Sequence, residues 1–250
     1  MCGIRKEDLY AHLDVPLGAE QAEAYQRAIE RRAGGEPVAY LRGYKEFFGL
    51  RFTVDPRVLI PRPETEVLVE AVLAFIRATG RTRVVDAGTG SGAIAIAVAV
   101  NEPGARVIAT DVSAEALEVA GANAREHGVD GRMELRQGDL LAPVNERVDV
   151  VAANLPYLRD DDVSELTGER TSLAFEPHLA VVAGPDGLGL IRRCIDQLGR
   201  VLAPGGAAYF ECDPPQADTV RQLLGARIGG ATRTIPDLTG APRVVEGIRR

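Results

Sequence analysis

Three glycines alternate with small polar residues in the segment Gly88-Thr89-Gly90-Ser91-Gly92. The segment follows the apolar run Val84-Val85-Asp86-Ala87 and precedes a helix-forming apolar run over 93–100. Glycines at such a strand-to-helix turn let a ligand approach the backbone, and the first N–H groups of the helix stay free for polar ligand atoms. Asp111 closes the next β-rich run, where a carboxylate can accept hydrogen bonds from two ribose hydroxyls. The pattern therefore predicts a site for a cofactor that contains a nucleoside.

Two kinds of cofactor are compatible with this turn. Gly88, Gly90 and Ala93 satisfy the dinucleotide pattern G-x-G-x-x-G/A. S-adenosylmethionine is favoured because Asp86 lies just before the turn, where an acid suits the cationic amino-acid end of that cofactor, and because the glycines alternate without interruption. In this layout Asp139, after the third β-rich run, would reach the adenine amino group. The alternative is a tight turn that holds no ligand.

A second motif, Asn154-Leu155-Pro156-Tyr157, follows the fourth β-rich run. An amide nitrogen is a poor nucleophile, because its lone pair is delocalised. The side-chain oxygen of Asn154 and the backbone carbonyl of Leu155 could each accept one of its two N–H bonds, with Pro156 fixing the turn. Tyr157 could lie against the flat group and limit its rotation. The motif indicates methyl transfer to a planar nitrogen, and an ordinary Asn-x-Pro turn is the alternative interpretation.

The order of elements positions both motifs. From Arg81 onward, short β-branched runs alternate with helical segments, which is typical of a parallel sheet wrapped by helices. The last two predicted strands have room only for a short connection, so they should pair antiparallel. The seven predicted strands are Arg83–Ala87, Arg106–Asp111, Met133–Gln137, Val148–Ala153, Ala207–Cys212, Thr232–Ile235 and Arg243–Ile248.

Three segments precede this sheet in the chain. Residues 8–34 carry apolar positions at helical spacing, which predicts a helical N-terminal extension. Residues 46–60 contain β-rich pieces, including Val58-Leu59-Ile60, around turn residues, which predicts a hairpin. A helix is expected from Glu64 to about Thr79.

Composition narrows the class of protein. With 250 residues, 46% of them apolar and 26% charged, one main α/β domain with a small extension is expected, and disorder is not expected. We predict a cytoplasmic protein with no membrane segment and no metal, because His12, His127 and His178 lie far apart. The net charge of −7 argues against a protein that grips nucleic acid directly. We expect a protein substrate and a monomer.

The chain resembles the protein-(glutamine-N5) methyltransferases that modify peptide chain release factors. The resemblance spans nearly the whole sequence, and its most specific segment is Leu59-Ile60-Pro61-Arg62-Pro63-Glu64-Thr65-Glu66. Besides that segment and the two motifs above, the residues that carry it are Glu36–Gly43, Glu46–Leu50, Phe175–Ala180, Gly184–Leu188, Asp237-Leu238 and Arg243–Val245.

The resemblance implies a Rossmann-like, seven-stranded S-adenosylmethionine-dependent sheet that methylates the glutamine in the Gly-Gly-Gln loop of release factors. It implies a partial helical substrate-docking domain over 1–35, a connecting hairpin segment over 36–63 and a catalytic domain over 64–250. The site residues that it implies are Gly88, Thr89, Gly90, Ser91, Gly92, Asp111, Leu140 and Asn154 for the cofactor, and Asn154, Leu155, Pro156 and Tyr157 for the substrate amide.

The sequence departs from the family pattern at three places. Leu155 replaces a proline, but because that position offers its backbone carbonyl the chemistry should survive. We expect a shorter N-terminal domain than the family has, with Met1 falling inside it. Residues 211–216 replace a more glycine-rich stretch.

Three rival functions stay open. Asn-Leu-Pro-Tyr also occurs in ribosomal RNA adenine N6-methyltransferases, although the acidic balance and the segment 59–66 argue against RNA. A glutamine methyltransferase with another protein substrate is the second rival. A non-catalytic protein that keeps the fold is the third.

Overall fold

A computed structural model describes residues 16, 18–159 and 172–250 of the chain. Seven strands form one sheet in the order β5-β4-β3-β6-β7-β9-β8. Strands β3 to β7 run parallel, and β9 lies antiparallel between β7 and β8. The predicted fold class is confirmed. The strands are β3 (Arg83–Ala87), β4 (Arg106–Asp111), β5 (Met133–Gln137), β6 (Val148–Ala153), β7 (Leu202–Glu211), β8 (Thr232–Pro236) and β9 (Pro242–Ile248).

The chain changes direction across the sheet between β3 and β6. From β3 it moves outward to β4 and β5, and it then returns to build β6 and β7 on the other side. In open α/β sheets, the carboxyl ends of the two strands at such a switch point flank the ligand crevice. The glycine turn follows β3 and the Asn154 motif follows β6, so the topology places both motifs at this crevice.

Both faces of the sheet are buried. Val84 and Val150 pack into one apolar cluster, whereas Val85 and Val151 pack into the cluster on the opposite face. Strands covered on both faces become continuous apolar runs rather than alternating ones. The helices beside the sheet are α3 (Glu66–Thr79), α4 (Ala93–Asn101), α5 (Ala114–Glu126), α6 (Gly189–Val201) and α7 (Ala217–Ile228).

The N-terminal part contains two helices and a separate two-stranded sheet. Helix α1 (Ala19–Ala33) and a short helix α2 (Val38–Arg42) precede strands β1 (Tyr44–Phe47) and β2 (Leu50–Thr53). The part of the predicted extension before Ala19 lies mostly outside the described residues. Asn123 on α5 fastens the hairpin to the main domain, because its side chain exchanges hydrogen bonds with the backbone of Thr53 at 2.9 and 3.0 Å.

Several predicted boundaries are wrong. The segment Val58–Ile60 is not a strand, because it pairs with neither sheet and Ile60 instead gives its N–H to a distant side chain. Helix α3 begins at Glu66, after a 3₁₀ turn over Pro63–Thr65, since the two prolines of the segment interrupt a regular start. Helix α2 was not predicted, because five residues are too few to show helical periodicity.

Strand β7 also begins five residues before its predicted start at Ala207 and ends at Glu211, not Cys212. The residues Pro204-Gly205-Gly206 look like a turn in the sequence, but the sheet accommodates them. The N–H of Gly205 donates to Arg249 at 2.8 Å, and the pairing with β6 shifts register near Val148.

Among the residues that the structure describes, none of the helices combines the length and the apolar character needed to cross a membrane.

Candidate active site

A cavity of about 360 Å³ opens at the carboxyl edge of β3, β4 and β6. Most of the predicted site residues line it: Gly88, Thr89, Gly90, Ser91, Asp111, Asp139, Leu140, Asn154, Leu155 and Pro156. Asp86, Gly92 and Tyr157 do not line it. The fold thus brings residues that are up to 68 positions apart in the sequence, from Gly88 to Pro156, around one space.

The glycine turn needs glycine for conformation and for space. Gly88, Gly90 and Gly92 have φ values of 73°, 53° and 82°, a region that side chains with a Cβ disfavour. A Cβ on Gly88 would also lie 2.8 Å from Cδ2 of Leu155, a buried residue. The glycine turn and the second motif are therefore in direct contact, and Leu155, the departure from the family pattern, supplies that contact.

Asp111 holds the turn in place and faces the cavity at the same time. Its Oδ2 accepts a hydrogen bond from the N–H of Gly90 at 2.9 Å, and its Oδ1 accepts one from Ser113 at 3.0 Å. Because each carboxylate oxygen has two lone pairs, both retain capacity for a ligand hydroxyl. A ribose placed here would bind a carboxylate that is already oriented.

Asp86 lies beneath the turn and is completely buried. Its Oδ2 accepts hydrogen bonds from the Thr89 hydroxyl at 2.6 Å and from the N–H of Ala95 at 3.2 Å. Burial raises its pKa to about 6, although these two hydrogen bonds lower it. Its Oδ1 has no hydrogen-bond partner among the described residues. Asp86 therefore braces the glycine turn, and its contact with the cofactor stays a prediction.

Asp139 and Leu140 reach the cavity from the loop after β5. The Asp139 carboxylate forms an ion pair with Arg193 on α6. Leu140 is buried with a φ of 53°, and its carbonyl accepts a hydrogen bond from the buried Thr110 hydroxyl at 2.7 Å. The ion pair and the hydrogen bond thus hold the loop in place, and its contact with adenine stays a prediction.

Asn154 lies at the end of β6 and is held by a residue that the sequence-based site did not include. Its Nδ2 donates a hydrogen bond to Oγ1 of Thr65 at 2.9 Å. Thr65 is buried and lines the cavity. Because the amide nitrogen is engaged by Thr65, the acceptor oxygen of Asn154 remains for a ligand in the cavity.

Tyr157 is half-buried behind this edge. Burial, together with the charge of Glu211, raises its pKa to about 12, so the phenol is neutral near neutral pH. Its backbone carbonyl accepts a hydrogen bond from Nε2 of Gln216 at 3.0 Å. The segment 211–216, whose departure from the family pattern had no interpretation from sequence, thus supports the second motif.

Another part of the cavity wall comes from residues 56–62 and 177–180, two segments that are distant in the sequence and that Glu176 joins. The Glu176 side chain is buried, accepts a hydrogen bond from the N–H of Ile60 at 3.0 Å and forms an ion pair with Arg62. This contact brings Arg62 and His178 to the same cavity. Both segments belong to the motifs of the family resemblance, but neither was predicted to lie at the site.

The sheet order, the glycine turn over the switch point and the acid at the end of β4 define a Rossmann-like methyltransferase. Residues 63–175 match the Methyltransferase small domain, and residues 1–43 match the PrmC N-terminal domain. A solved methyltransferase from Pyrococcus furiosus is similar with a TM-score of 0.57 at 18% identity, covering 90% of this chain and 98% of that one. The ribosomal protein L11 methylase of Lactobacillus delbrueckii has a TM-score of 0.54 at 24% identity, covering 79% and 83%.

Sequence relatives identify the family. The release factor glutamine methyltransferase of Moorella thermoacetica is 42% identical, covering 100% of this chain and 88% of the relative. Those of Xylella fastidiosa and Neisseria gonorrhoeae are 41% and 43% identical, covering 96% and 88% of this chain and 86% and 80% of the relatives. The chain belongs to the release factor glutamine methyltransferase family.

Proposed function

We propose that the protein transfers a methyl group from S-adenosylmethionine to the side-chain nitrogen of the glutamine in the Gly-Gly-Gln motif of peptide chain release factors. One observation supports this proposal independently of family membership. The acceptor oxygen of Asn154 is left available in the cavity that Asp111 and the glycine turn also line. An amide acceptor and a nucleoside-type site therefore share one space.

The residues present fit the cofactor. Asp111 offers an oriented carboxylate for ribose hydroxyls, and the glycine turn lets a ligand lie against the backbone. Asp139 and Leu140 border the same cavity and would hold the adenine, whereas Asp86 would act on the cationic end from beneath the turn. When bound, the cofactor supplies a methyl group on a sulfonium, which is a strong electrophile.

The chain's own contribution is to orient a weak nucleophile. The Asn154 oxygen and the Leu155 carbonyl would accept hydrogen bonds from the two N–H groups of the substrate amide. These two hydrogen bonds would fix the orientation of the amide nitrogen and of its lone pair in the cavity. Tyr157 follows Pro156 but does not line the cavity, so its contact with the substrate amide stays a prediction. After transfer the nitrogen has a proton to lose, and the positioning of the amide is most of the catalysis.

The enzyme would act as a monomer in the cytoplasm, where release factors work, and would not bind nucleic acid directly. Its net charge of −7 supports a protein substrate over RNA. Leu155, which makes the motif Asn-Leu-Pro-Tyr, is the observation that keeps an RNA adenine as the second candidate.

The decisive experiment compares release factor and ribosomal RNA as acceptors of a labelled methyl group. We expect label in the release factor, at the Gly-Gly-Gln glutamine, and none in RNA. Label in RNA alone would show that the substrate class is wrong. Label in neither, together with intact cofactor binding by calorimetry, would favour a different protein substrate.

The catalytic role is tested with Asn154→Ala. Removing the acceptor should lower single-turnover methylation by roughly 100-fold or more, because the interaction acts mainly in the transition state, while cofactor affinity changes less. Asn154→Asp keeps an acceptor and adds a charge near the sulfonium, so it should bind the cofactor more tightly yet still react more slowly.

Asn145→Ala, at an exposed position before β6, is the matched control and should react at the parental rate. If Asn154→Ala methylated its substrate at the parental rate, Asn154 would be a turn residue with no catalytic role.

A further inference from the structure

A single buried side chain joins the N-terminal hairpin to the glycine turn. Asn123 lies on α5 and is fully buried. Its Nδ2 donates one hydrogen bond to the carbonyl of Thr53 in β2 at 3.0 Å and another to the carbonyl of Ser91 in the glycine turn at 2.9 Å. Its Oδ1 accepts a hydrogen bond from the N–H of Thr53 at 2.9 Å. One amide group therefore holds two segments that are distant in the sequence.

The chemistry of these three partners fixes the orientation of the Asn123 amide. An asparagine NH₂ group has two hydrogens to donate, and here both are donated to backbone carbonyls, whereas the amide oxygen meets a backbone N–H. If the amide turned over, its oxygen would face two carbonyl oxygens and its NH₂ group would face a donor. Because the same group makes all three contacts in one orientation, a shift of either segment disturbs its hydrogen bonds to the other.

Both segments reach the wall of the cavity. Ser91 lines the cavity directly, in the turn that would bind the cofactor. From the hairpin, Phe47 of β1 lines it, and the ring of Phe47 packs edge-on against that of Phe52 in β2, with centroids 6.0 Å apart. An isolated two-stranded hairpin is only marginally stable, so its attachments to the main domain decide where Phe47 lies. Asn123 is therefore attached to two walls of the same space.

Helix α5 also supports other parts of the cofactor site. A Cβ on Gly92 would lie 3.2 Å from the Cβ of Ala120, so the end of the glycine turn packs directly on the helix. Ser113, the N-cap residue of α5, donates its N–H to Oδ1 of Asp111 at 3.0 Å. The turn and the carboxylate that would bind the ribose are thus attached to the helix that holds the hairpin.

We propose that Asn123 is a positioning residue that couples the cofactor site to the hairpin, so that the binding of S-adenosylmethionine and the docking of the release factor favour each other. The inference rests on the proposed function. A cofactor that orders the glycine turn also holds the Ser91 carbonyl, and through Asn123 it holds β2. The release factor then meets a hairpin that is already ordered, so less conformational freedom is lost when it docks. The coupling is reciprocal, so the release factor raises the affinity for the cofactor by the same factor.

Calorimetric titration of release factor into the enzyme, with and without saturating S-adenosylhomocysteine, measures this coupling. This ligand carries no transferable methyl group, so binding is separated from reaction. For the parent, we expect the Kd of the release factor to fall by about fivefold or more when the ligand is present. Asn123→Ala removes all three hydrogen bonds, and in this variant the change should be less than about twofold.

His127→Ala is the matched control variant. The ring of His127, which follows α5, is hydrogen-bonded to the carbonyl of Arg51 in β2 at 2.8 Å. The variant therefore loosens the hairpin from the same helix but leaves the contact between Asn123 and Ser91 in place. Both variants should lower Tm, whereas His127→Ala should keep most of the coupling. A merely structural role of Asn123 would affect Tm and leave the coupling unchanged.

Amide hydrogen exchange in the parent tests the same link without a variant. Because the N–H of Thr53 donates to Asn123, S-adenosylhomocysteine should slow its exchange by about threefold or more. The N–H of Thr239 is the control, since it also donates to a side-chain oxygen, Oδ1 of Asp237 at 2.9 Å, but does not line the cavity. Its exchange should not change.

Three results would overturn the proposal and leave the proposed function intact, provided that the parent methylates the release factor. The first is a parental Kd for the release factor that does not respond to S-adenosylhomocysteine. The second is full coupling in a folded Asn123→Ala protein, or its loss in His127→Ala. The third, which decides the question if Asn123→Ala does not fold, is unchanged exchange at Thr53 in the parent. A parent that does not methylate the release factor would instead refute the proposed function, and the coupling with it.

Discussion

Replacement of Asp111 should weaken cofactor binding for two separable reasons. Asp111→Ala removes the carboxylate that would bind the ribose hydroxyls, which contributes about 1–3 kcal/mol. It also leaves the N–H of Gly90, now bonded to Oδ2 at 2.9 Å, without its acceptor. An unsatisfied backbone N–H in the turn adds about 1 kcal/mol, so the total is about 2–4 kcal/mol, or roughly a 30- to 1000-fold rise in Kd.

Isothermal titration with S-adenosylhomocysteine and with its 2′-deoxyribose analogue separates the two contributions. The parent should bind the deoxy analogue more weakly, because one ribose hydrogen bond to Asp111 is missing. Asp111→Ala should bind both ligands with nearly equal affinity. Asp130→Ala, at an exposed position in the 3₁₀ turn before β5, is the control and should behave like the parent.

Two results would refute this reasoning. Unchanged affinity in a folded Asp111→Ala protein would show that the ribose lies elsewhere. If the mutant still distinguished the two ligands as strongly as the parent, Asp111 would act only by holding Gly90.

Two further predictions concern stability and substrate docking. Burial raises the pKa of Glu211 from about 4.5 to about 7, so the folded state favours the protonated acid. The protonated side chain therefore contributes fully to stability below about pH 4.5, and this contribution is lost as the pH rises through about 7. Relative to Glu211→Gln, the parent should therefore lose on the order of 3 kcal/mol of unfolding free energy between pH 4.5 and 8 in urea titrations, and parallel curves for the two proteins would contradict the assignment. Deletion of residues 1–35 should preserve cofactor affinity but slow the methylation of intact release factor more than that of a Gly-Gly-Gln peptide. The reason is that every residue of α1 is at least partly exposed, with Tyr25 57% exposed, so this helix is accessible to a protein substrate. Equal slowing of both substrates would assign the extension to packing alone.

Local sequence determined the central sheet well. The bounds of β3, β4, β5 and β6 agree with the prediction. For β3 and β6 the reason is that a strand buried on both faces is a short, mainly apolar run between turn residues. The glycine turn was equally legible, since positive φ values and the approach of a neighbouring side chain impose glycine at fixed spacing. Asn154 was identified from its place after a strand at the carboxyl edge.

Resemblance to a family identified segments without giving their physical role. The segments 59–66 and 175–180 were recognised as motifs, but their contact through Glu176 was not foreseen. The β-rich composition of Val58–Ile60 even predicted a strand, although its backbone bonds to that glutamate instead of to a neighbouring strand. Such a segment has no periodicity that would show where its hydrogen bonds go.

Tertiary structure alone decided how the site is oriented. Thr65 and Asn154 are 89 residues apart, and their hydrogen bond leaves no local signature in the sequence. Glu211 is equally inconspicuous, because a carboxylate at the end of a strand is usually solvated and only the packing of β7 against β6 and β9 buries it beside Asn154. Periodicity records which face of an element is buried, whereas the partner of a buried polar group depends on how distant elements meet.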